Sequence, residues 1–159
     1  MAKFKMKELI GTEPVTARLG VGSVNSTPAN AYTDKEIGKF VKLSGDSAYS
    51  LCAAGDAIEG HIAAVESYTA DDFSIGSVQV EGRKRVTLDG LQATPGTGVI
   101  AVGDYVVCGS VTPLGTVLPG PPKVCKATSQ AAGHFNWRVV SEEGTTAVGQ
   151  FATIERTNA

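Results

Sequence analysis

Between Asp46 and His61 the sequence places side chains of the kinds that enzymes use. Glu59 and His61 stand two residues apart, so in a strand they would share a face, where a carboxylate can orient an imidazole as a general base. Cys52, in the same stretch, is a candidate nucleophile that either His61 or His134 could activate. The segment therefore raises the hypothesis of an enzyme that uses Glu59, His61 and Cys52.

A simpler interpretation accounts for the same residues. Asp46 and Asp56 each follow a glycine, and aspartate favours turns because its carboxylate accepts hydrogen bonds from nearby backbone N–H groups. A polar pair such as Glu59 and His61 is also typical of a solvated strand face. We therefore expect turns and strand surface here, with no catalytic site. The separation of Cys52 from the Glu59–His61 pair in the fold decides between these two interpretations.

The sequence lacks the spacings that are typical of metal and phosphate sites. A zinc site would need thiols and imidazoles to converge from distant places in the chain, and no cysteine pair has CxxC spacing. "GVGSVN" lacks the third glycine of a dinucleotide-binding loop, and "GSVQVEGRK" lacks the Gly-Lys-Ser/Thr ending of a P-loop. We predict no metal and no cofactor. The cysteines, which we expect to be unpaired thiols in apolar strands, are Cys52, Cys108 and Cys125.

Turn-forming residues indicate the elements that must position these side chains. Nineteen glycines and seven prolines in 159 residues favour many turns and short strands. From Gly38 onward, roughly ten candidate strands alternate with Gly-rich turns, and no segment has a convincing helical period. The predicted fold is all-β, a sandwich or barrel with a jelly roll as one variant, over residues 38–159.

One pair of segments resembles an internal repeat. "AAGDAIEG" at 53–60 is similar to "AVGDYVVCG" at 101–109, and both place Gly-Asp before a strand-like run. A true repeat and a turn type used twice are both consistent with this similarity. We favour the second interpretation.

Residues 1–37 are predicted to form an N-terminal arm and loop outside the domain. "KFKMKEL" alternates basic and apolar side chains, which favours a single strand, and "GVGSVNSTPANAYTD" is typical of a loop. The strand could add to the sheet edge of a neighbouring molecule or complete this chain's own sheet. A second basic cluster, "GRKR", would place its two arginines on one strand face and its lysine on the other. The candidate interface residues are Lys3, Phe4, Lys5, Met6, Lys7, Arg83, Lys84 and Arg85.

Charge and hydropathy narrow the class of partner. The net charge is −2, from 14 basic and 16 acidic residues, which argues against a nucleic-acid partner. No apolar run exceeds four residues, so we expect no transmembrane helix and no membrane partner. The basic start "MAKFKMKELI" lacks the apolar core of a secretory signal, so we expect synthesis in a cytoplasm.

The order of short motifs resembles that of a family of small tailed-phage proteins. "GKFVKLSGD", "AAGDAIEGHIAAV", "VQVEGRKRV", "AVGDYVVCG" and "VSEEGTTAVGQFATIE" follow one another as in the capsid cement, or head decoration, proteins. The similarity covers about residues 37–110 and, more loosely, 137–155. The sequence departs from the pattern in "STPANAYTD" and in the long, proline-rich segment 111–136.

The resemblance implies a structural function. Cement proteins bind the outside of a bacteriophage head at junctions between major capsid subunits, and they have no catalytic site. The implied partners are the major capsid protein and neighbouring copies of the chain, as a homodimer or homotrimer. The implied location is the virion exterior, after synthesis in the bacterial cytoplasm. The alternative function is a phage-borne module that binds glycans or host surfaces, which an exposed aromatic cluster around Trp137 or Tyr105 would favour.

Overall fold

The computed structural model describes residues 14–20, 32–45, 48–66, 74–128 and 137–157. Regular structure within these ranges is almost entirely β-strand, with one 3-10 turn at Asp34–Glu36. The predicted all-β class is therefore confirmed. The strands form two groups of consecutive elements, the first five and the last six.

The first five strands form a closed barrel, called the first barrel below. They are β1 (Val15–Leu19), β2 (Phe40–Gly45), β3 (Ala48–Leu51), β4 (Gly60–Glu66) and β5 (Ser74–Gln79). Their order around the barrel is β1-β3-β2-β4-β5, and β1 pairs with β5 to close it. β1 and β3 are parallel, and the other pairs are antiparallel. The interior is filled by Leu19, Tyr32, Val41, Ile62 and Val78.

The last six strands form a second ring. They are β6 (Arg83–Leu91), β7 (Thr94–Pro95), β8 (Tyr105–Cys108), β9 (Lys123–Lys126), β10 (Trp137–Glu143) and β11 (Phe151–Arg156). Because β6 pairs with β11 through its first half and with β9 through its second, the order β11-β10-β8-β9-β6 closes on itself, and β7 only extends β6. This second barrel packs around the fully buried Trp137. The architecture is thus two small barrels rather than an eight-stranded jelly roll.

The second barrel repeats the topology of the first. Strands β6, β8, β9, β10 and β11 have the order and directions of β1, β2, β3, β4 and β5, including one parallel pair in each barrel. A β-bulge interrupts β4 after Ile62 and β10 after Val139. The Gly38 N–H donates to the Ile62 carbonyl at 2.7 Å, and the Gly103 N–H donates to the Val139 carbonyl at 2.8 Å. The chain is therefore built as a tandem pair of one barrel type.

The similar Gly-Asp segments are one turn type used twice, as expected from the sequence. An Asp56 carboxylate oxygen accepts the Ala53 N–H at 2.7 Å, and an Asp104 oxygen accepts the Ala101 N–H at 2.8 Å. The glycine before each aspartate has a positive φ, 86° and 93°. One turn follows β3 and the other precedes β8, so the two do not occupy equivalent places in the barrels. The tandem repeat thus lies in strand topology and not in these segments.

Part of the predicted arm belongs to the folded domain. β1 lies inside the segment 1–37, yet it pairs with β5 along its whole length and buries Ala17 and Leu19. The predicted boundary at residue 38 is therefore corrected: the first barrel includes β1. A five-residue strand with two buried positions is too short to stand out by periodicity beside loop-like neighbours.

The connection between β3 and β4 joins the two barrels. Phe40, Cys52 and Ile58 from the first half of the chain pack into the core of the second barrel. The Gly55 N–H donates to the Cys108 carbonyl at 2.7 Å, and the Cys108 N–H donates to the Asp56 carbonyl at 2.9 Å. Because this core is continuous across the junction, the two barrels bury apolar surface against each other.

Candidate interface

The basic cluster on β6 has the alternation that the sequence predicts. Arg83 and Arg85 are exposed on the outer face, while Lys84 is half-buried on the other. Both arginines have acidic neighbours. Arg83 Nε lies 3.7 Å from Glu155 Oε1. Arg85 donates two hydrogen bonds to Glu143, at 2.7 and 2.6 Å.

Lys84 lies in a different environment. It lines an open cleft of about 390 Å³ at the junction of the two barrels, and burial lowers the pKa of its ammonium group. No carboxylate of the described residues lies within ion-pair distance of its Nζ. The cleft is lined by Ile37, Gly38, Lys84, Arg85, Leu118, Gly120, Pro121 and Pro122.

His61 lies close enough to Lys84 to respond to its charge. Burial, followed by the repulsion from Lys84, lowers the pKa of His61 to about 4, so its imidazole is neutral at pH 7. Its Nδ1 is buried and has no hydrogen-bond partner among the described residues. The expected solvated strand face is therefore corrected at His61, which is half-buried. A neutral imidazole beside the ammonium adds no compensating charge.

A long loop, residues 109–122, forms one wall of the cleft. It connects β8 to β9, where the first barrel has only the short β2–β3 connection at 46–47. The Lys39 ammonium group donates to the Pro113 carbonyl at 2.8 Å, and the Gly115 N–H donates to Glu36 Oε1 at 2.7 Å. Lys39 and Glu36 are both buried, and Lys39 Nζ lies 3.3 Å from Glu36 Oε1. This buried ion pair fastens the loop to the first barrel.

Hydrogen bonding holds the buried Glu36 in its charged form. Burial by itself would raise the pKa of this carboxyl. Hydrogen bonds from Thr33, Gly115 and Lys39 outweigh that effect and leave the pKa below its usual value. The loop therefore contributes a backbone N–H to the stabilisation of a buried charge.

The candidate catalytic side chains lie in separate environments. Glu59 lies 3.4 Å from an Arg156 nitrogen. Arg156 also donates to the Glu59 and Val80 carbonyls, at 3.0 and 2.8 Å. Cys52 lies in the core of the second barrel, where a hydrogen bond with Cys108 and burial raise the pKa of its thiol. No hydrogen bond among the described residues joins Cys52, Glu59 and His61 to one another, and a raised thiol pKa disfavours the nucleophilic thiolate.

Asp56 has the turn function predicted for it. Besides closing its turn, its carboxylate accepts a hydrogen bond from Lys42 at 2.6 Å. Asp46 lies outside the described residues. Asp56 therefore makes the contacts of a turn residue, and the turn function of Asp46 stays a prediction.

All three cysteines are free and buried, as predicted. Burial, followed by the neighbouring Asp89 carboxylate and Cys108, raises the pKa of Cys125 to about 11. The described ranges contain no group of three His, Cys, Asp or Glu residues that could hold a metal ion. Within the same ranges, no helix has the length and apolar character needed to cross a membrane.

The aromatic side chains offer no exposed platform in the described part of the chain. Trp137 is fully buried, and Tyr105 is half-buried. Phe151 is half-buried, and the Arg85 guanidinium carbon lies 4.2 Å from its ring centroid. A stacking surface of the kind that sugar-binding sites use is therefore not formed by these residues.

The structure describes only part of the predicted interface. Lys3, Phe4, Lys5, Met6 and Lys7 lie outside the described residues, so their contribution stays a prediction. Sequence reasoning missed the apolar walls of the cleft, which come from Ile37 and the loop 109–122. The proline-rich segment "PLGTVLPGPP" was the available signal, since it marked an insertion without indicating what it covers.

Comparison with known proteins adds no relative: the chain matched no family model, no curated protein and no solved structure.

Proposed function

We propose that this chain is a capsid cement protein that binds the outer surface of a bacteriophage head and stabilises contacts between major capsid subunits. The observation that carries the proposal is the face around the cleft. Ile37, which lines the cleft next to the basic end of β6, is 42% exposed, and Val117, which precedes the lining residue Leu118, is 64% exposed. Exposed apolar groups grouped with unpaired charge are typical of protein-binding surfaces.

The two-barrel architecture suits a protein that is displayed on a shell. Closed barrels leave no long unpaired strand edge, so free copies resist edge-to-edge association before they meet a shell. The resemblance noted in the sequence implies the same function, and its motifs coincide with β2, the β3–β4 connection, β6 and β8. Repeated copies on one shell would bind multivalently, which strengthens the binding of each copy.

The proposal includes the partners and the location that the resemblance implies. The chain contacts the major capsid protein and neighbouring copies of itself, as a homodimer or homotrimer, on the exterior of the virion. The N-terminal residues Lys3 to Lys7 add a strand to a neighbouring sheet edge. No observation favours the glycan-binding alternative, since Trp137 is buried. None favours an enzyme that uses Cys52, Glu59 and His61.

Co-sedimentation with capsid shells tests the proposed function. Purified protein is mixed with shells assembled from the major capsid protein of the phage that encodes it, and the pelleted fraction is measured against protein concentration. We expect saturable binding with a fixed number of copies per shell. An unrelated β-barrel protein of similar charge serves as the control. Pelleting no greater than that of the control contradicts the proposal.

A further inference from the structure

Lys84 is a desolvated cation without a compensating charge in the described part of the chain. The two arginines that flank it in the basic cluster, Arg83 and Arg85, each have a glutamate carboxylate within 4 Å. The buried Lys39 has Glu36. Lys84 has no such partner among the described residues, and the nearby His61 is neutral at pH 7. Partial burial of an unpaired ammonium is costly, so the surface around it is suited to receive a negative charge.

The walls of the cleft favour one kind of occupant. Pro121 and Pro122 have no backbone N–H, and Ile37 and Leu118 are apolar. One ammonium group in an apolar cleft matches one carboxylate on an apolar stem, whereas a phosphate group would need several converging donors. An open cleft of about 390 Å³ is large enough for a glutamate or aspartate side chain with its neighbours.

The loop 109–122 gives the cleft a fixed shape. The buried pair of Glu36 and Lys39 holds this loop against the first barrel through Pro113 and Gly115. A methyl group at Gly38 would lie 3.2 Å from Leu118 Cδ1 and 3.8 Å from Lys84 Nζ, so the loop and β6 approach the 3-10 turn closely. The site is thus held in place before a partner arrives, which reduces the entropy lost on binding.

We infer that the cleft is the docking site for an acidic side chain, aspartate or glutamate, which projects from the capsid subunit and pairs with Lys84. The inference rests on the proposed function and specifies the chemistry of the contact. The apolar walls exclude water from the ion pair, which strengthens it relative to an exposed pair. Arg85, already bound to Glu143, forms the rim.

The test compares two lysine variants in shell binding. Lys84→Met keeps the apolar stem and removes the charge, while Lys35→Met does the same at an exposed lysine outside the cleft. We expect Lys84→Met to weaken binding to shells by at least about tenfold and to reduce its dependence on salt. Lys35→Met should bind within about twofold of the wild-type protein. Thermal unfolding of each variant checks that it is folded.

A second measurement uses the wild-type protein, so it does not depend on the folding of a variant. Acylation of lysine amines by acetic anhydride is followed by mass spectrometry, in free protein and on shells. We expect the rate at Lys84 to fall on shells by at least about tenfold relative to its rate in free protein.

The outcomes separate the inference from the proposed function. If the wild-type protein binds shells and either Lys84→Met binds within about twofold of it or Lys84 is acylated equally fast on shells, the inference alone is overturned. If the wild-type protein does not bind shells, the proposed function fails, and the docking site fails with it.

Discussion

At the scale of single residues, Asp56 and Asp104 stabilise their turns with the same contacts. Each carboxylate accepts a hydrogen bond from the backbone N–H three residues earlier. Each also has an oxygen within 2.8 Å of a lysine Nζ, that of Lys42 for Asp56 and that of Lys126 for Asp104. The turns themselves were predictable, because Gly-Asp before a strand-like run favours this geometry locally. The lysine partners were not, because they come from other strands that only the barrel brings near.

Replacing either turn aspartate should lower stability by a similar amount. We expect Asp56→Ala and Asp104→Ala each to reduce the free energy of unfolding at pH 7 by about 1–3 kcal/mol, since each leaves a backbone N–H without its acceptor. Urea unfolding gives the values. Asp34→Ala, at an exposed aspartate whose carboxylate makes no such turn contact, is the control and should change stability by less than about 0.5 kcal/mol. Equal effects at all three positions would contradict the assigned turn function.

The buried thiols should react only when the protein unfolds. A hydrogen bond with Cys108, together with burial, holds the pKa of Cys52 above its usual value, and burial does the same for Cys125, so little thiolate forms at pH 8. We expect iodoacetamide to modify the native protein slowly and the denatured protein at three cysteines without prior reduction. Mass spectrometry of the intact protein counts the modifications. A denatured protein that gains fewer than three would indicate a disulfide and contradict the assignment.

At the scale of elements, the β8–β9 loop is the largest departure of the second barrel from the first. Two residues, 46 and 47, make the equivalent connection in the first barrel, whereas the loop 109–122 reaches the 3-10 turn and packs Leu114 near the core of the first barrel. The sequence indicated an insertion here through its prolines. Its contact with Glu36 and Lys39 was not predictable, because those residues lie more than 70 positions earlier in the chain.

Glu36→Gln should release this loop and destabilise the protein. The substitution leaves Lys39 as a buried charge without its ion-pair partner, so we expect a loss of about 3–5 kcal/mol in the free energy of unfolding at pH 7. Limited proteolysis should cut within 109–122 faster in the variant than in the wild type. Glu59→Gln also removes a carboxylate from a half-buried glutamate, but away from the loop, so it is the control for proteolysis within 109–122. Unchanged stability in Glu36→Gln would contradict the proposed tether.

The effect of Glu36→Gln should depend on pH. The pKa of Glu36 is lower in the folded protein than in the unfolded chain, so its charge stabilises the fold fully above the unfolded pKa of about 4.3. That stabilisation is lost as the pH falls through the folded pKa. We therefore expect the difference in unfolding free energy between wild type and variant to shrink below about pH 4. A constant difference from pH 7 to pH 3 would contradict the assignment.

At the scale of the whole molecule, the chain is two barrels of one topology that share an apolar junction. The all-β class was predictable from glycine, proline and period-two patterns. The repeat was not, because equivalent core positions carry different residues, such as Ile62 and Val139, and the most similar segments are not equivalent in the fold. Of the candidate interface, the alternation of Arg83, Lys84 and Arg85 was predictable, but the cleft depends on contacts between distant segments.

Two truncations should separate the contribution of residues 1–12 to shell binding from the contribution of β1 to the stability of the first barrel. Removing residues 1–12 leaves β1 intact, so we expect little change in the melting temperature. Shell binding should weaken and become less sensitive to salt, since three lysines are lost. Removing residues 1–19 also removes β1 and should open the first barrel, lowering the melting temperature by several degrees. If the shorter truncation melts normally and binds shells at full strength, the arm has no part in binding.

The thermal stability of capsid shells gives the most direct test of a cement function. Shells assembled from the major capsid protein are heated with and without a saturating amount of this protein, and disassembly is followed by light scattering. We expect bound protein to raise the disassembly temperature in proportion to its occupancy, because each copy adds contacts between neighbouring subunits. Lys35→Met should match the wild type in this effect. An unchanged disassembly temperature at full occupancy would contradict a cement function.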